Sequence, residues 1–446
     1  MPDRPRGPSI RLWSTYQVLA HPMSSLPRWF QRYGDPLLVP TINGNVVMTG
    51  RPELVKQIFA SSAASYSPFA ADGIAALTGP RSVFQLRDVE HRRHRRLIMP
   101  SFHGARMRAY AEAMRDTTRT VLGEAAGRGT VRLHDLTQRI SLEVIIRAVF
   151  GVQEPQRVQA FATAITTMVD AVSPSFLFMP FLQREMFGVG PYARFRRTFT
   201  ALDEMLRDQI ARSRRGGEGQ DVLSMLLHAR DEDGDQLDDD EIRDELRTLL
   251  FAGHETTAIA LCWAVDAVGR HPDVARRLQG ELLELGDEPE AEAIAKLPYL
   301  EAVCNESLRL YPIVTEVLRN LHQPMELGGY SLRPPTAVSA CILEVHRNPT
   351  LYPEPHAFRP ERFLDRKYGP HEFLPFGGGH RRCIGAAFAS FELRVVLGTL
   401  LREFEVALLD PSTPRAVRRN VTMAPEGGVP VTLVRARPGS VRAAAA

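Results

Sequence analysis

The 446-residue chain carries 55 lysine and arginine residues against 52 aspartate and glutamate residues, giving a formal net charge of +3 at pH 7. This near balance argues against a nucleic-acid-binding protein, while 44% hydrophobic and 24% charged residues are ordinary for a globular protein with a large core. The four cysteines lie far apart with no CxxC pair, which argues against a zinc site or a disulfide framework and fits a reducing cytoplasm.

The first 25 residues contain neither the roughly 20 apolar residues that span a membrane nor the apolar segment of a signal peptide. We therefore predict a cytoplasmic protein without a membrane anchor. Residues 1–25 are predicted to be a partly ordered N-terminal extension, residues 26–436 a single domain, and residues 437–446 a disordered tail.

Short strands and long helices alternate unevenly along the chain. Residues 37–42 and 46–48 flank Asn43-Gly44-Asn45, which is typical of a β-hairpin. Helical patterns dominate afterwards, and further short strands are predicted near residues 325–332 and 429–434, where Gly and Pro punctuate the sequence. These patterns predict a mainly α protein with small β-sheets (α+β).

One long helix is predicted from Asp239 to about Gly269, with Asp238 as N-cap and Glu241 completing a capping box. Inside it lies the segment 252–257, Ala-Gly-His-Glu-Thr-Thr. A glycine at such a position costs about 1 kcal/mol relative to alanine, so we expect a compensating role. Close helix packing is one such role; a proton relay through the adjacent carboxylate and hydroxyl is another.

Glu306 and Arg309 follow at i and i+3 in the segment ESLRLYP. A surface ion pair of this kind would contribute at most about 1 kcal/mol. However, the neighbouring Val303, Leu308 and Leu310 are apolar, which favours a buried position.

A glycine-rich loop, residues 376–385 (FGGGHRRCIG), places Cys383 just before an apolar helical pattern. The glycines allow a sharp turn and a close approach of the backbone to a flat ligand. Arg381, Arg382 and the positive end of the following helix are expected to lower the pKa of the Cys383 thiol, as suits a metal-binding thiolate. A buried free cysteine in a turn is the alternative.

The loop resembles the cysteine-ligand motif F-x-x-G-x-R-x-C-x-G of the cytochrome P450 haem-thiolate monooxygenases, and similar motifs run in the family's order from about residue 30 to about residue 435. The resemblance, to the soluble bacterial type, implies one large cytochrome P450-like fold with a long central helix over a buried haem b (iron protoporphyrin IX). Cys383 would then bind the iron.

The resemblance also implies roles for the other motifs. Arg362, in the segment FRPERF, would complete a buried structural triad with Glu306 and Arg309, and breaking it should cost roughly 3–5 kcal/mol. Thr256 and Glu255 would be the catalytic proton-delivering pair. Residues expected to contact the haem or its propionates are His91, Arg95, Ala252, Gly253, Arg319, Phe376, Gly379, Arg381 and Gly385.

A hydrophobic substrate is expected because no cation is obviously placed to hold a carboxylate. Fatty acids, terpenoids and polyketides all remain open, and core packing is the alternative role for the same apolar residues. The expected pocket residues are Phe69, Ile74, Leu77, Phe84, Phe176, Phe178, Ile313, Val314, Val317 and Met423.

The implied activity is insertion of one oxygen atom from O₂ into such a molecule, by hydroxylation or epoxidation. Electrons would come from a separate ferredoxin or flavodoxin with its NAD(P)H reductase, because no second cysteine cluster or appended GxGxxG unit is present. We expect a monomer. Arg92, Arg93 and Arg96 are either a solvated helix face or a docking patch for an acidic electron donor. The alternatives are a peroxide-rearranging haem enzyme, a non-catalytic haem sensor and a haem-free helical binding protein.

Overall fold

The computed structural model describes residues 4–68, 71–102, 106–171, 190–217 and 219–436. Helices dominate this part of the chain, as the sequence predicts. They are α1 (Arg11–Ala20), α2 (Pro22–Tyr33), α3 (Pro52–Ala60), α4 (Ala71–Thr78), α5 (Asp88–Ile98), α6 (Arg106–Ala125), α7 (Leu133–Ala148), α8 (Pro155–Asp170), α9 (Pro191–Gly216), α10 (Val222–His228), α11 (Asp239–Arg270), α12 (Pro272–Leu283), α13 (Ala291–Ala295), α14 (Pro298–Leu310), α15 (Ile342–His346), α16 (Arg362–Asp365) and α17 (Ala386–Glu403).

The strands are short and form small sheets at the edge of the helical body. They are β1 (Leu37–Thr41), β2 (Gly44–Thr49), β3 (Tyr66–Pro68), β4 (Thr130–Arg132), β5 (Glu316–Leu321), β6 (Met325–Leu327), β7 (Tyr330–Leu332), β8 (Ala337–Cys341), β9 (Phe404–Leu408), β10 (Ala416–Arg419), β11 (Thr422–Pro425) and β12 (Pro430–Arg435).

The largest sheet has the order β1-β2-β8-β5-β3, and a second has the order β4-β12-β9. In the first, β1 and β2 form the predicted hairpin, in which Thr41 lies opposite Gly44. Gly44 has a φ of +121°, a backbone conformation that favours glycine. Two further hairpins, β6-β7 and β10-β11, complete the sheets of the described residues.

Helix α11 is the central element. Its predicted cap is confirmed: the Glu241 N–H donates to Asp238 Oδ1 at 2.8 Å, and the Asp238 N–H donates to Glu241 Oε2 at 2.8 Å. The helix is 32 residues long, or roughly 48 Å at 1.5 Å per residue. It packs against α7, α17 and α14. Its apolar window is long enough to span a membrane, but 72% of that window is buried inside the protein, as expected for a core helix.

The N-terminal segment is ordered from residue 4 and packs on the first sheet. Arg11 Nη1 donates to the Thr41 carbonyl at 2.8 Å, and Arg418 Nε of β10 donates to the Leu19 carbonyl at 2.8 Å. Helix α2 runs continuously through residues 25 and 26, so the predicted boundary falls inside an element, because its apolar face continues across that point. The predicted tail, residues 437–446, lies outside the described residues.

Candidate active site

The loop before α17 is shaped by glycines at two positive-φ positions. Gly377 has a φ of +64° and Gly379 a φ of +68°. The Cys383 N–H donates to the Phe376 carbonyl at 3.0 Å and closes the turn. A Cβ at Gly379 would lie 2.6 Å from the Phe59 carbonyl oxygen, so this glycine permits close packing on α3 as well as the turn. The expected sharp turn is therefore present. The close approach of the backbone at Gly379 is to Phe59 of α3.

Cys383 lies near the end of this loop, two residues before Gly385, the N-cap residue of α17. Its side chain is exposed, yet burial raises the pKa of its thiol. Together these facts place the sulfur in an internal recess. The Gly385 N–H, Arg382 and Arg95 lower the pKa only in part. The expectation of a lowered thiol pKa is therefore wrong for the protein alone, because burial outweighs the nearby cations; a bound metal would itself favour the thiolate.

The middle of α11 presents a small residue and a hydroxyl side by side. Ala252 is exposed and Thr256 is partly exposed, although both belong to the central helix. The Thr256 hydroxyl donates to the Ala252 carbonyl at 2.7 Å. The hydroxyl thus bonds back to the preceding turn, but its face is not packed against protein, so close helix packing does not explain Ala252 and Thr256. The proton relay stays a prediction.

Gly253 has a different reason to lack a side chain. A Cβ at this position would lie 2.7 Å from Ile145 Cδ1 of α7. Gly253 therefore allows α7 and α11 to pack closely, which favours the packing alternative at this residue. Its expected contact with a cofactor remains a prediction.

Glu255 is buried and points to a partner that the sequence did not indicate. Arg419 Nε of β10 donates to Glu255 Oε1 at 2.7 Å, and the exposed fractions of the two side chains are 42% and 5%, respectively. Arg419 also lines a polar cavity of about 330 Å³ with Arg132, His134 and Asp135. The two residues are 164 positions apart, and no local pattern could have paired them.

The triad expected at Glu306 is assembled in the structure. Arg309 Nε and Nη2 donate to Glu306 at 2.6 and 2.8 Å, and Arg362 Nε donates to Glu306 Oε1 at 3.0 Å. Arg309 also donates to the carbonyls of His346, Pro355 and Ala357. All three charged groups are buried. The surface-pair alternative is wrong, because these side chains tie α14 to the segment that leads into α16.

Three arginines, Arg95, Arg319 and Arg381, lie close to His91. Burial, followed by the charges of Arg381 and Arg95, lowers the pKa of His91 to about 3. Burial, followed by Arg319, lowers the pKa of Arg381 to about 10. Arg319 is 6% exposed. Within the described ranges no carboxylate forms a salt bridge with Arg95, Arg319 or Arg381, so an anion would be stabilised beside them.

Comparison with known proteins identifies the family. The family model described as Cytochrome P450 matches residues 2–429. The chain belongs to the cytochrome P450 family. Cytochrome P450 137 of Mycobacterium tuberculosis is 34% identical to it over 443 residues, covering 97% of this chain and 90% of the relative. Cytochrome P450 135A1 of the same species is 34% identical over 424 residues, covering 92% of this chain and 91% of the relative.

Solved structures agree with the fold. The chain resembles a retinoic acid-bound cyanobacterial CYP120A1 with a TM-score of 0.84 and 26% identity, covering 97% of this chain and 99% of that one. The haem domain of cytochrome P450DA gives a TM-score of 0.85 at 22% identity, covering 97% and 98% of the two chains, and supports the fold alone. The P450 is therefore a haem-thiolate monooxygenase with haem b as its cofactor.

The residues present fit this cofactor. Cys383 offers a sulfur ligand in a recess, and a Cβ at Gly385 would meet no heavy atom within 4 Å, which leaves room beside the sulfur. The cluster of His91, Arg95, Arg319 and Arg381 suits two carboxylates such as haem propionates. Arg381, however, donates to the carbonyls of Val83, Phe84 and Leu86 in this structure, so its hydrogen bonds are shared with the backbone before α5.

The P450 pocket residues expected from the sequence divide into three groups. Ile74, Phe84, Val314 and Val317 are partly exposed, as a lining residue should be. Leu77, Ile313 and Met423 are buried in packed protein at 2%, 9% and 1% exposure, so the core alternative describes them better. Phe69, Phe176 and Phe178 lie outside the described residues.

The arginines of α5 are largely neutralised by their neighbours. Arg93 Nε lies 2.6 Å from Asp231, and Arg96 pairs with Glu232 in the loop before α11. Arg92 lies 3.2 Å from Asp88. These pairs weaken the docking-patch alternative, because Asp88 of α5 and Asp231 and Glu232 of the loop before α11 already supply the complementary charge.

Proposed function

We propose that this P450 inserts one oxygen atom of O₂ into a hydrophobic small molecule, by hydroxylation or epoxidation, in the cytoplasm and as a monomer. The balanced reaction for hydroxylation is RH + O₂ + 2 e⁻ + 2 H⁺ → ROH + H₂O. The two electrons would come from a ferredoxin or flavodoxin with an NAD(P)H reductase. The observation that carries this proposal is the recessed Cys383 thiol, which lies close enough to Arg95 for that charge to lower its pKa in part. The open face of α11 at Ala252 and Thr256 supports it.

Haem supplies reductive O₂ activation when it is bound with a thiolate ligand. Cys383 Sγ would provide that ligand, Arg95, Arg319 and Arg381 would neutralise the propionates, and neutral His91 would donate a hydrogen bond to them. Phe376 and Gly379 would shape the loop beneath the ring. Ala252 would leave room for O₂ on the open face of α11, because its side chain is only a methyl group.

Protons would reach the O₂ site through the Thr256 hydroxyl and the Glu255 carboxylate. Thr256 is held toward the open face by its bond to the Ala252 carbonyl. Glu255 is held on the other side by Arg419, which borders the polar cavity. Because Arg419 is half exposed while Glu255 is buried, opening of this pair would let the carboxylate exchange protons with water.

The substrate would be a fatty acid, terpenoid or polyketide that lies against Ile74, Phe84, Val314 and Val317. These partly exposed side chains are apolar, which favours burial of hydrocarbon. The cyanobacterial structure that binds retinoic acid supports a lipophilic molecule of comparable class.

The ligand assignment is tested by the reduced carbon monoxide spectrum of the purified holoprotein. We expect a red-shifted Soret band in the natural protein and its loss in Cys383→Ser. Cys304→Ala is the matched control, because Cys304 is a buried thiol on α14 and should not affect the spectrum. A red-shifted band that survives in Cys383→Ser would refute the assignment.

The reaction class is tested by turnover with a ferredoxin, its reductase and NADPH, using long-chain fatty acids and terpenoids. Oxygenated product that requires both O₂ and NADPH is expected. Product from a hydroperoxide without NADPH would favour the peroxide-rearranging enzyme. Ligand-induced spectral shifts without turnover of any of these compounds would favour the sensor.

A further inference from the structure

Helix α1 turns its larger apolar side chains toward solvent. Leu12, Trp13 and Tyr16 are 74%, 46% and 57% exposed, whereas Ser14 and Val18 are 0% and 8% exposed on the inner face. An ordinary surface helix has the opposite arrangement, with apolar residues inside. The outward face of α1 therefore has no explanation in the stability of the fold.

Two isoleucines extend this face. Ile10 precedes α1 and is 63% exposed; Ile42, in the β1-β2 turn, is 43% exposed. The turn is fastened to the helix, because the Ile42 N–H donates to Thr15 Oγ1 at 3.0 Å. We call Ile10, Leu12, Trp13, Tyr16 and Ile42 the α1 patch. Nine large apolar side chains are exposed in the described part of the chain, and five of them lie in this patch.

The patch rests on a fixed base. The Trp13 ring lies 5.4 Å from the ring of Trp29, which is 5% exposed in α2. Arg418 of the β10-β11 hairpin donates to the Val18 and Leu19 carbonyls near the other end of α1. The apolar exposure is thus a property of a packed helix.

The same segment is strongly basic. Residues 4–33 contain five arginines and no aspartate or glutamate, whereas the whole chain has a net charge of only +3. The five arginines, all exposed, are Arg4, Arg6, Arg11, Arg28 and Arg32. A positive segment beside exposed Trp, Tyr, Leu and Ile side chains is the combination that favours the interface of an anionic bilayer.

We propose that the α1 patch docks this P450 reversibly on an anionic lipid surface. The apolar side chains would enter the headgroup region while the arginines attract the lipid phosphates. Helix α1 has only 10 residues and does not span the bilayer. A second copy of the chain fits less well, because it would bring two arginine-rich segments together. The inference does not rest on the proposed reaction.

Vesicle sedimentation of the holoprotein tests the proposal. We expect binding to vesicles of equal phosphatidylcholine and phosphatidylglycerol, weakening in high salt, and little binding to phosphatidylcholine alone. Leu12→Ser with Trp13→Ser should reduce binding to the anionic vesicles at least tenfold. Arg4→Gln, Arg6→Gln and Arg11→Gln together should also reduce it and remove most of its salt dependence.

The matched control is Leu409→Ser with Val434→Ser, since these side chains are similarly exposed, at 47% and 46%, but lie near the C-terminus. This variant should bind like the natural protein. All variants should keep the Soret spectrum, which separates loss of docking from loss of the haem-binding fold. Equal vesicle binding by the natural protein and the Leu12/Trp13 variant, or none by the natural protein, would overturn the proposal.

Tryptophan fluorescence reports the contact directly, because Trp29 and Trp263 are only 5% and 1% exposed, whereas Trp13 is 46% exposed. A blue shift on adding anionic vesicles, absent in Trp13→Ser, is expected. An already blue Trp13 emission without vesicles would instead show that the protein's own chain covers the patch. A dimer in light scattering that Trp13→Ser dissociates would assign the patch to a second copy.

Discussion

Glu306 and Glu255 are both buried carboxylates bound by arginine, yet their surroundings differ. The partners of Glu306, Arg309 and Arg362, are themselves buried and donate further hydrogen bonds to backbone carbonyls. The partner of Glu255, Arg419, keeps 42% of its side chain exposed. The first cluster cannot separate without opening the core, whereas the second can open toward water. The difference shows that a carboxylate–arginine pair can have either of two roles. When both partners are buried it holds two segments together, and when one is exposed it can open and let the carboxylate meet water.

The largest effect is expected from Glu306→Gln. Removing the carboxylate leaves two buried guanidinium groups without their counter-charge, so the free energy of unfolding should fall by roughly 3–5 kcal/mol, with loss of haem and turnover. Urea unfolding and haem content measure this. Glu301→Gln is the control, since Glu301 lies on the same helix as Glu306 and pairs with Arg394 of α17 but is 55% exposed. A stable Glu306→Gln protein with a full complement of haem would contradict the claim that this cluster holds the core together.

Thr256→Ala should leave haem binding intact and divert most reducing equivalents to hydrogen peroxide, because the hydroxyl nearest the open face of α11 is lost. The unfolding free energy should change by about 1 kcal/mol or less. The ratio of NADPH consumed to product formed measures the coupling. Thr257→Ala removes a hydroxyl from the buried neighbour and should remain coupled. Full coupling in Thr256→Ala would refute its role.

Arg419→Gln should cause a smaller, partial loss of coupling and a larger solvent isotope effect on turnover, since Glu255 would no longer be held. Stability should fall by at most about 1 kcal/mol, as the pair is partly exposed. Arg419→Lys should restore much of the coupling by keeping the charge. Arg418→Gln is the control, because Arg418 pairs with Glu316 and the end of α1. Equal uncoupling in both glutamine variants would remove the special role of Arg419.

The smallest effect on turnover is expected from Glu392→Gln. Glu392 of α17 is buried without a salt bridge in the described residues, and burial raises its pKa from 4.5 to about 8. The folded protein therefore binds a proton that the unfolded chain releases, and this stability is full below pH 4.5 and lost as the pH rises through about 8. Its loss has a slope of about 1.4 kcal/mol per pH unit.

Urea unfolding between pH 5 and pH 8 measures that slope. Glu392→Gln should have a flatter profile and gain relative stability at the alkaline end, because glutamine needs no proton to remain neutral. Glu301→Gln again serves as the exposed control. Identical pH profiles for Glu392→Gln and the natural protein would mean that Glu392 does not hold a proton in the folded protein.

Local patterns predicted much of the fold. The Asp238–Glu241 cap, the hairpin at Gly44 and the Glu306–Arg309 pair each lie within a few residues, so periodicity and spacing define them. The family resemblance supplied Arg362, which no spacing rule links to Glu306. The cofactor and catalytic residues were likewise identified from the family's motifs, and their roles stay predictions.

Long-range packing could not be predicted. The partnership of Glu255 with Arg419 depends on how the β10-β11 hairpin meets α11, and the need for Gly253 depends on Ile145 of another helix. The raised pKa of Cys383 depends on burial, which the flanking arginines did not reveal. The outward face of α1 was likewise hidden, because a sequence pattern does not say which side of a helix is covered.

Adjacent residues of β10 serve opposite sides of the protein. Arg418 donates to carbonyls of α1, and Arg419 donates to Glu255; neighbouring side chains of a strand point in opposite directions. Trimming the first twenty residues for expression or crystallisation would therefore free the Arg418 side of this strand and leave the Arg419–Glu255 pair in place on the other side. Preparations truncated there should keep their coupling efficiency but lose binding to anionic vesicles, so assays of turnover alone would miss what these residues contribute.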